Sequence, residues 1–262
     1  MPLVRLPAAA LAAAALLVAV PAGPAAAQAA PWPDAPAATV GKLVWEAEDG
    51  RLGQCSGALV DAPNGSVVAT AAHCVRTPQE PQPPSEVWFV PGYHRDAADY
   101  RDKGWRVAAF HTPDGWDVSG GMTDVLPHDY AFLTLERRGG RSAQETHGAN
   151  RVTFEPVPEE GRVAALGYPA AAPYDGETLH ACEGEIDVLT EGEAQTPNLG
   201  GLLLRDCNLT AGTSGGPWLR DWDPAAGSGT LIAVMSVGSG HGDVIGRPFP
   251  EAARELLARA GG

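Results

Sequence analysis

Beyond Val40 the chain alternates short apolar runs with turn residues. Runs at 40–45, 55–60, 66–71, 87–90, 105–110 and 130–135 have the length and the β-branched and aromatic content of strands. Asn64-Gly65 sits between the second and third of them, a strong hairpin signal. A second group runs 162–166, 179–188, 202–207, 217–222 and 231–237, and the polar, glycine-containing stretch 137–150 between the groups reads as a linker. Strands do not alternate with helices, which excludes a parallel α/β sheet. The pattern predicts an all-β molecule of two antiparallel barrels or sandwiches. Only the carboxyl end looks helical: Pro250-Glu251 suit a first turn, Ala252, Leu256 and Ala260 form a buried stripe, and Gly261-Gly262 stop it.

The amino terminus follows another pattern. Arg5 precedes an uninterrupted apolar run of 13 residues at 8–20, and the small residues Ala25-Ala26-Ala27-Gln28-Ala29 offer two overlapping A-x-A cleavage sites. This is the layout of a secretory signal peptide; a retained anchor would want a run of roughly 20 residues. The expected organisation is a signal over 1–29, a Pro/Ala-rich arm over 30–38, and barrels over 39–145 and 146–262, the last with the terminal helix. The mature chain is expected to start between Gln28 and Ala30, to be secreted, and to keep no membrane attachment.

Composition sharpens this in two places. Among 262 residues, 32 Asp and Glu against 18 Lys and Arg give a net charge of -14, which repels phosphate backbones and excludes nucleic acid as a partner. Four cysteines in an exported chain read as two disulfides, and no C-x2-C spacing suggests zinc. Three connectivities are possible; Cys55 with Cys74 closes a short local loop and leaves Cys182 with Cys207.

Three segments carry candidate chemistry. In Gly212-Thr213-Ser214-Gly215-Gly216-Pro217 a serine lies between small residues that leave room for a substrate, and Gly212 permits a backbone that aims N–H groups at developing negative charge. The hexapeptide also fits the G-x-S-x-G elbow of α/β-hydrolases, but only 48 residues follow Ser214 and His241 is the single later histidine. Upstream, Thr70-Ala71-Ala72-His73-Cys74 ends an apolar strand with a histidine beside a disulfide, a fixed position suited to a general base. In His128-Asp129-Tyr130-Ala131-Phe132 an acid opens a strongly apolar strand, where it can be buried and accept the imidazole N–H.

Together the three segments, in the order His–Asp–Ser, resemble the chymotrypsin-fold (trypsin-like) serine proteases over roughly residues 40–260. Val40-Gly41-Lys42-Leu43 and Trp88-Phe89-Val90-Pro91-Gly92-Tyr93 look like the bacterial glutamyl-endopeptidase-like branch. The resemblance implies two six-stranded antiparallel β-barrels, an active site in the cleft between them and a C-terminal α-helix. It implies His73 as general base, Asp129 as its orienter, Ser214 as nucleophile, and the Gly212 and Ser214 N–H groups as oxyanion hole. A protein or peptide substrate follows from it, with no metal or organic cofactor, and a monomer is expected. It places Asn208 at the base of the primary specificity pocket, where Arg or Lys recognition would want a carboxylate, and Ser236-Val237-Gly238 along the pocket wall. Glutamate-specific relatives have a histidine directly before that serine, whereas this chain has Met235, so the branch does not bring glutamate preference with it; His241 is expected on an exposed loop. Thr213 stands where many animal digestive relatives carry an Asp that pairs with a freed α-amino group, so that mode of activation is not expected. The competing functions are a silent binding module on the same fold and a secreted esterase.

Overall fold

In the computed structural model, which describes residues 29–32, 37–47, 50–95, 99–158, 161–192, 194–238 and 242–262, every run of the first group is a strand. Of the leader expected over 1–29 all but Ala29, together with residues 33–36 of the arm and His241, lies outside the described residues. A two-residue strand β1 (Ala30–Pro31) is followed by β2 (Val40–Glu46), β3 (Leu52–Val60), β4 (Val67–Thr70), β5 (Val87–Pro91), β6 (Trp105–His111) and β7 (Ala131–Leu135). Strands β2 to β7 close a barrel in the order β2-β3-β4-β7-β6-β5. The Asn64-Gly65 hairpin joins β3 to β4, pairing Ala58 with Ala69, with Gly65 at φ +65°. Along β7, Ala131, Leu133 and Leu135 fill the barrel while Phe132 enters a second core outside it. Both faces are buried, so the run is apolar apart from half-buried Thr134 rather than alternating.

The second unit contains β8 (Arg151–Val152), β9 (Arg162–Gly167), β10 (His180–Glu185), β11 (Asp187–Val188), β12 (Leu202–Leu204), β13 (Pro217–Asp223), β14 (Ser228–Gly238) and β15 (Val244–Pro248). They form one curled sheet in the order β1-β10-β9-β13-β14-β15-β12-β11, with β8 parallel to β14. The strand expected over 179–188 is broken at Ile186, whose N–H turns aside to the Gly161 carbonyl (3.2 Å). Its first half pairs with β9 and its second with β12, so the two halves of one bent strand lie at opposite sides of the sheet, the first flanked by β1 and the second at the edge, and the sheet curls on itself. Val163, Ile186, Leu202, Leu204, Trp218, Ile232 and Val244 fill this unit.

Helix is more frequent than the pattern indicates. Besides α4 (Ala253–Ala260) there are, among the described residues, three short α-helices, α1 (Tyr100–Lys103), α2 (Met122–Val125) and α3 (Ala143–His147). The last lies inside the expected linker and starts on a capping box: the Glu145 N–H donates to Ser142 Oγ (3.2 Å) and the Ser142 N–H to Glu145 Oε2 (2.6 Å). In α4 the buried stripe is Ala253, Leu256 and Ala260, and Ala252 is exposed. Residues 253 and 260 lie seven apart and nearly eclipse along a helix of 3.6 residues per turn, whereas 252 is rotated well off that face. No helix among the described residues is long and apolar enough to cross a membrane.

A shared core joins the two units. Val40, Tyr130 and Phe132 from the first meet Leu166, Tyr168, Val234 and Phe249 from the second, and α4 closes this layer. Buried Asn150 ties them as well, its Nδ2 donating to the Leu59 carbonyl (3.0 Å) and its Oδ1 accepting the Gly229 N–H (2.9 Å).

Candidate active site

His73 sits on a 3-10 turn (Ala72–Cys74) that directly follows β4. The Cys55–Cys74 disulfide, with Cα atoms 6.1 Å apart, ties this turn to β3. Asp129 lies just ahead of β7 and is fully buried. Its Oδ1 accepts the His73 backbone N–H (2.9 Å), and its Oδ2 accepts His73 Nδ1 (2.8 Å) and the Ser236 hydroxyl (2.5 Å). An ionised carboxylate only accepts, so the proton lies on Nδ1 and Nε2 is left as the basic nitrogen. Burial alone would push the Asp129 pKa up, but the His73 charge and hydrogen bonds, with the Ser236 bond, outweigh it and hold it below the ordinary value. For His73, burial pulls down and the Asp129 charge and hydrogen bond pull up more strongly, so its pKa is raised.

Ser214 reaches the same place from the second unit. The Ser56 N–H, beside Cys55, donates to the Ser214 carbonyl (2.7 Å), and the Gly215 N–H donates to the Met235 carbonyl (2.8 Å). Gly215 has φ +75°, and a Cβ there would lie 2.5 Å from the Ser56 carbonyl and 2.7 Å from the Ala71 nitrogen, so only glycine lets the turn press so close to the segment bearing His73. Ser214 is half-buried, and no hydrogen bond joins it to His73 among the described residues. Such bonds are often long before substrate arrives.

The turn ahead of Ser214 has a definite handedness. The Ala211 carbonyl accepts the Ala170 N–H (2.6 Å), the Gly212 carbonyl accepts Ser56 Oγ (2.9 Å), and the Thr213 carbonyl accepts the Gly216 N–H (2.8 Å). A trans peptide points its N–H opposite to its C=O. The Gly212 and Ser214 N–H groups are therefore turned away from those anchors, and neither donates to a protein acceptor among the described residues. Two unspent donors beside a serine are what a developing negative charge on a substrate oxygen would require.

The remaining expected residues are placed as follows. Cys182 and Cys207 are bonded, with Cα atoms 5.7 Å apart. Ser236 lies where the register of β14 on β15 shifts between Met235 and Val237, and this irregularity accompanies the turn of its hydroxyl onto Asp129. That contact escaped the sequence reading, which placed Ser236 only on a pocket wall; the S-x-G pattern is its one sequence trace. Beyond Val234, β14 outruns β13, so Val237 and Gly238 pair with β15 alone and leave a backbone edge open. Asn208 is exposed, two residues after Asp206, which adopts φ +55° and donates its N–H to Asp243 Oδ1 (2.9 Å). Donor atoms of Cys55, His73 and Cys74 lie within 4.8 Å of one another, but both sulfurs are committed to the disulfide and offer a metal no thiolate. A cavity of about 500 Å³ bounded by Pro127, Phe154, Val188 and Phe249 includes none of His73, Asp129 and Ser214.

Comparison with known proteins identifies the family and the fold. The profile of the trypsin-like peptidase domain matches residues 55–223. The chain belongs to this family. Among solved structures, this trypsin-like peptidase domain is similar to the protease Anisep from Arthrobacter nicotinovorans, at 28% identity and TM-score 0.72 over 87% of this chain and 97% of that one. A thermostable serine protease, AL20, from an extremophilic microorganism gives 28% identity and TM-score 0.72 over 86% and 97%. A Glu endopeptidase shares the fold at 16% identity and TM-score 0.63 over 89% and 96%. No curated protein sequence matches the chain. The fold is thus that of the bacterial chymotrypsin-like proteases, and a serine-type peptidase activity accords with it.

Proposed function

We propose that the protein is a secreted serine endopeptidase that works as a monomer through His73, Asp129 and Ser214. The observation that carries this reading is the buried Asp129 carboxylate holding His73 by both its backbone N–H and Nδ1. His73 Nε2 takes the Ser214 proton as Oγ attacks the peptide carbonyl, and the Gly212 and Ser214 N–H groups receive the oxyanion. The same imidazolium protonates the leaving amine; water, deprotonated by His73, then releases the acyl group and restores Ser214. No cofactor enters any step. The open edge of β14 at Val237 and Gly238 suits an extended peptide added as a further strand. Asn208 gives no charge for Arg or Lys, and Met235 gives none for Glu, so a neutral residue before the cleaved bond fits best.

A fluorophosphonate should label the wild-type protein at Ser214 and leave Ser214→Ala unlabelled but folded. Peptide turnover in that variant should fall by a factor on the order of 10⁶. An unlabelled wild type would favour a silent binding module, and simple esters cleaved without peptides would favour an esterase.

A further inference from the structure

We infer that Ser56 is a positioning residue for the oxyanion hole, a side-chain clamp reaching from the first barrel that keeps the Gly212 turn in its active orientation. This rests on the reading of Ser214 as nucleophile. Of the three carbonyls that fix the turn, those of Ala211 and Thr213 are held by main-chain N–H groups, and that of Gly212 by the Ser56 hydroxyl. The middle bond is therefore the only one of the three that a change of side chain can remove.

The hydroxyl has little choice of orientation. Ser56 is fully buried. Its Oγ accepts the Tyr168 N–H (3.0 Å), so its own proton is directed to the Gly212 carbonyl (2.9 Å). Tyr168 is itself fixed: its carbonyl accepts Gln54 Nε2 (3.1 Å), and its hydroxyl donates to the Tyr93 carbonyl (3.0 Å). The Ser56 main chain is equally committed, with its N–H on the Ser214 carbonyl (2.7 Å) and its carbonyl accepting Thr70 Oγ1 (2.8 Å). One residue of β3 thus spans both ends of the Gly212–Ser214 turn.

The turn needs such a clamp. Gly212 is at φ +100°, where glycine alone is unstrained, and a glycine rotates freely between orientations. Thr213 is uncharged, so no ion pair holds the segment; its N–H (3.2 Å) and its hydroxyl (2.8 Å) both donate to the Thr210 carbonyl, a local contact that does not reach the first barrel. If the Gly212 carbonyl loses its partner, the 212–213 peptide keeps only the longer Thr213 N–H bond to Thr210 (3.2 Å), and its rotation carries the flanking Gly212 and Ser214 N–H groups off the position an oxyanion would occupy. Ground-state binding along β14 is untouched by that rotation, so the loss belongs to the transition state.

The test compares wild type, Ser56→Ala and Ser56→Thr by steady-state peptide hydrolysis and by the affinity of a peptide boronate, which forms a tetrahedral adduct. Removing a whole oxyanion donor costs about 10²–10³ in rate, so displacing the turn should lower kcat at least about tenfold with KM within about twofold. Boronate affinity should fall with kcat/KM, the acid limb of the pH profile should stay in place, and Ser56→Thr should recover most of the loss. A Ser56→Ala enzyme with wild-type kcat, one that does not fold, or a Ser56→Thr no better than Ser56→Ala would overturn the proposal. A wild type without peptidase activity or labelling would instead remove the nucleophile reading on which it stands.

Discussion

At the scale of single residues, Asp129 decides what His73 can do. With three donors on one buried carboxylate, the charge is held by geometry as well as by attraction. Because the His73 pKa is raised above its ordinary 6.5, the basic form needed for proton abstraction is lost as pH falls through a midpoint higher than that value. Activity should rise with pH along an acid limb centred above 6.5, measurable from kcat/KM for a peptide substrate. Asp129→Asn removes the charge that raises the pKa and leaves burial, which lowers it, so the limb should move down while kcat falls by about 10⁴. A limb that stays in place in this variant would show that another group sets it. The folded Asp129 pKa lies below its ordinary value of 3.8, so its contribution to stability is present above that value and lost as pH falls through the folded pKa. The residue types and chain order made this pair legible beforehand. The Ser236 hydroxyl was not, because it depends on a local register shift that no spacing encodes.

At the scale of elements, the hairpin turn and the terminal helix act as one unit. Asn64 Nδ2 donates to the Ala260 carbonyl (2.9 Å) at the end of α4, its N–H donates to the Gly261 carbonyl (3.1 Å), and its Oδ1 accepts the Ser66 N–H (2.9 Å). Thr134 Oγ1 adds a second bond to the Ala260 carbonyl (2.8 Å). A helix end buried without donors would be costly, and here a turn 196 residues distant supplies them. Asn64→Ala should lower stability by about 1–2 kcal/mol. For a protein of this size that is a Tm drop of roughly 2–8 °C in a thermal melt, with peptidase turnover unchanged. The strands were legible because their apolar runs are long and bounded by turn residues. Three short helices were not, since α1, α2 and α3 are too brief for periodicity and only α3 carries a signature, Ser142 with Glu145. The bend at Ile186 likewise follows from which neighbours each half of the strand meets, a matter of tertiary pairing.

At the scale of the whole molecule, Thr213 offers no charge with which a buried amino terminus could pair, so the Gly212–Ser214 turn is expected to be held by other contacts. Two inter-barrel contacts near the turn are internal to the chain. Lys42 Nζ, on β2, lies 3.3 Å from Glu177 Oε1 and 3.8 Å from the centre of the Tyr93 ring, and the Tyr93 hydroxyl donates to Glu177 Oε2 (2.7 Å). Burial lowers the Lys42 pKa against the pull of Glu177, which marks this as a packed contact and not a surface pair. The amino-terminal arm has different work. Ala30 and Pro31 pair with Ala181 and His180 on the edge of β10, the Trp32 N–H donates to the Leu179 carbonyl (2.8 Å), and Trp32 meets Trp222 edge-on at 5.3 Å. These contacts strap the arm to the second barrel. Chains starting at Gln28, Ala30 and Thr39 should therefore share the same kcat once folded, and N-acetylation should leave it unchanged. The Thr39 start loses the strap and should melt several degrees lower, since burying a Trp with its backbone bonds contributes about 2–3 kcal/mol. Thermal melts and active-site titration of the three chains measure both quantities. Activity confined to a single start, and abolished by acetylating it, would make the terminus the switch and leave Ser56 and its neighbours as mere packing.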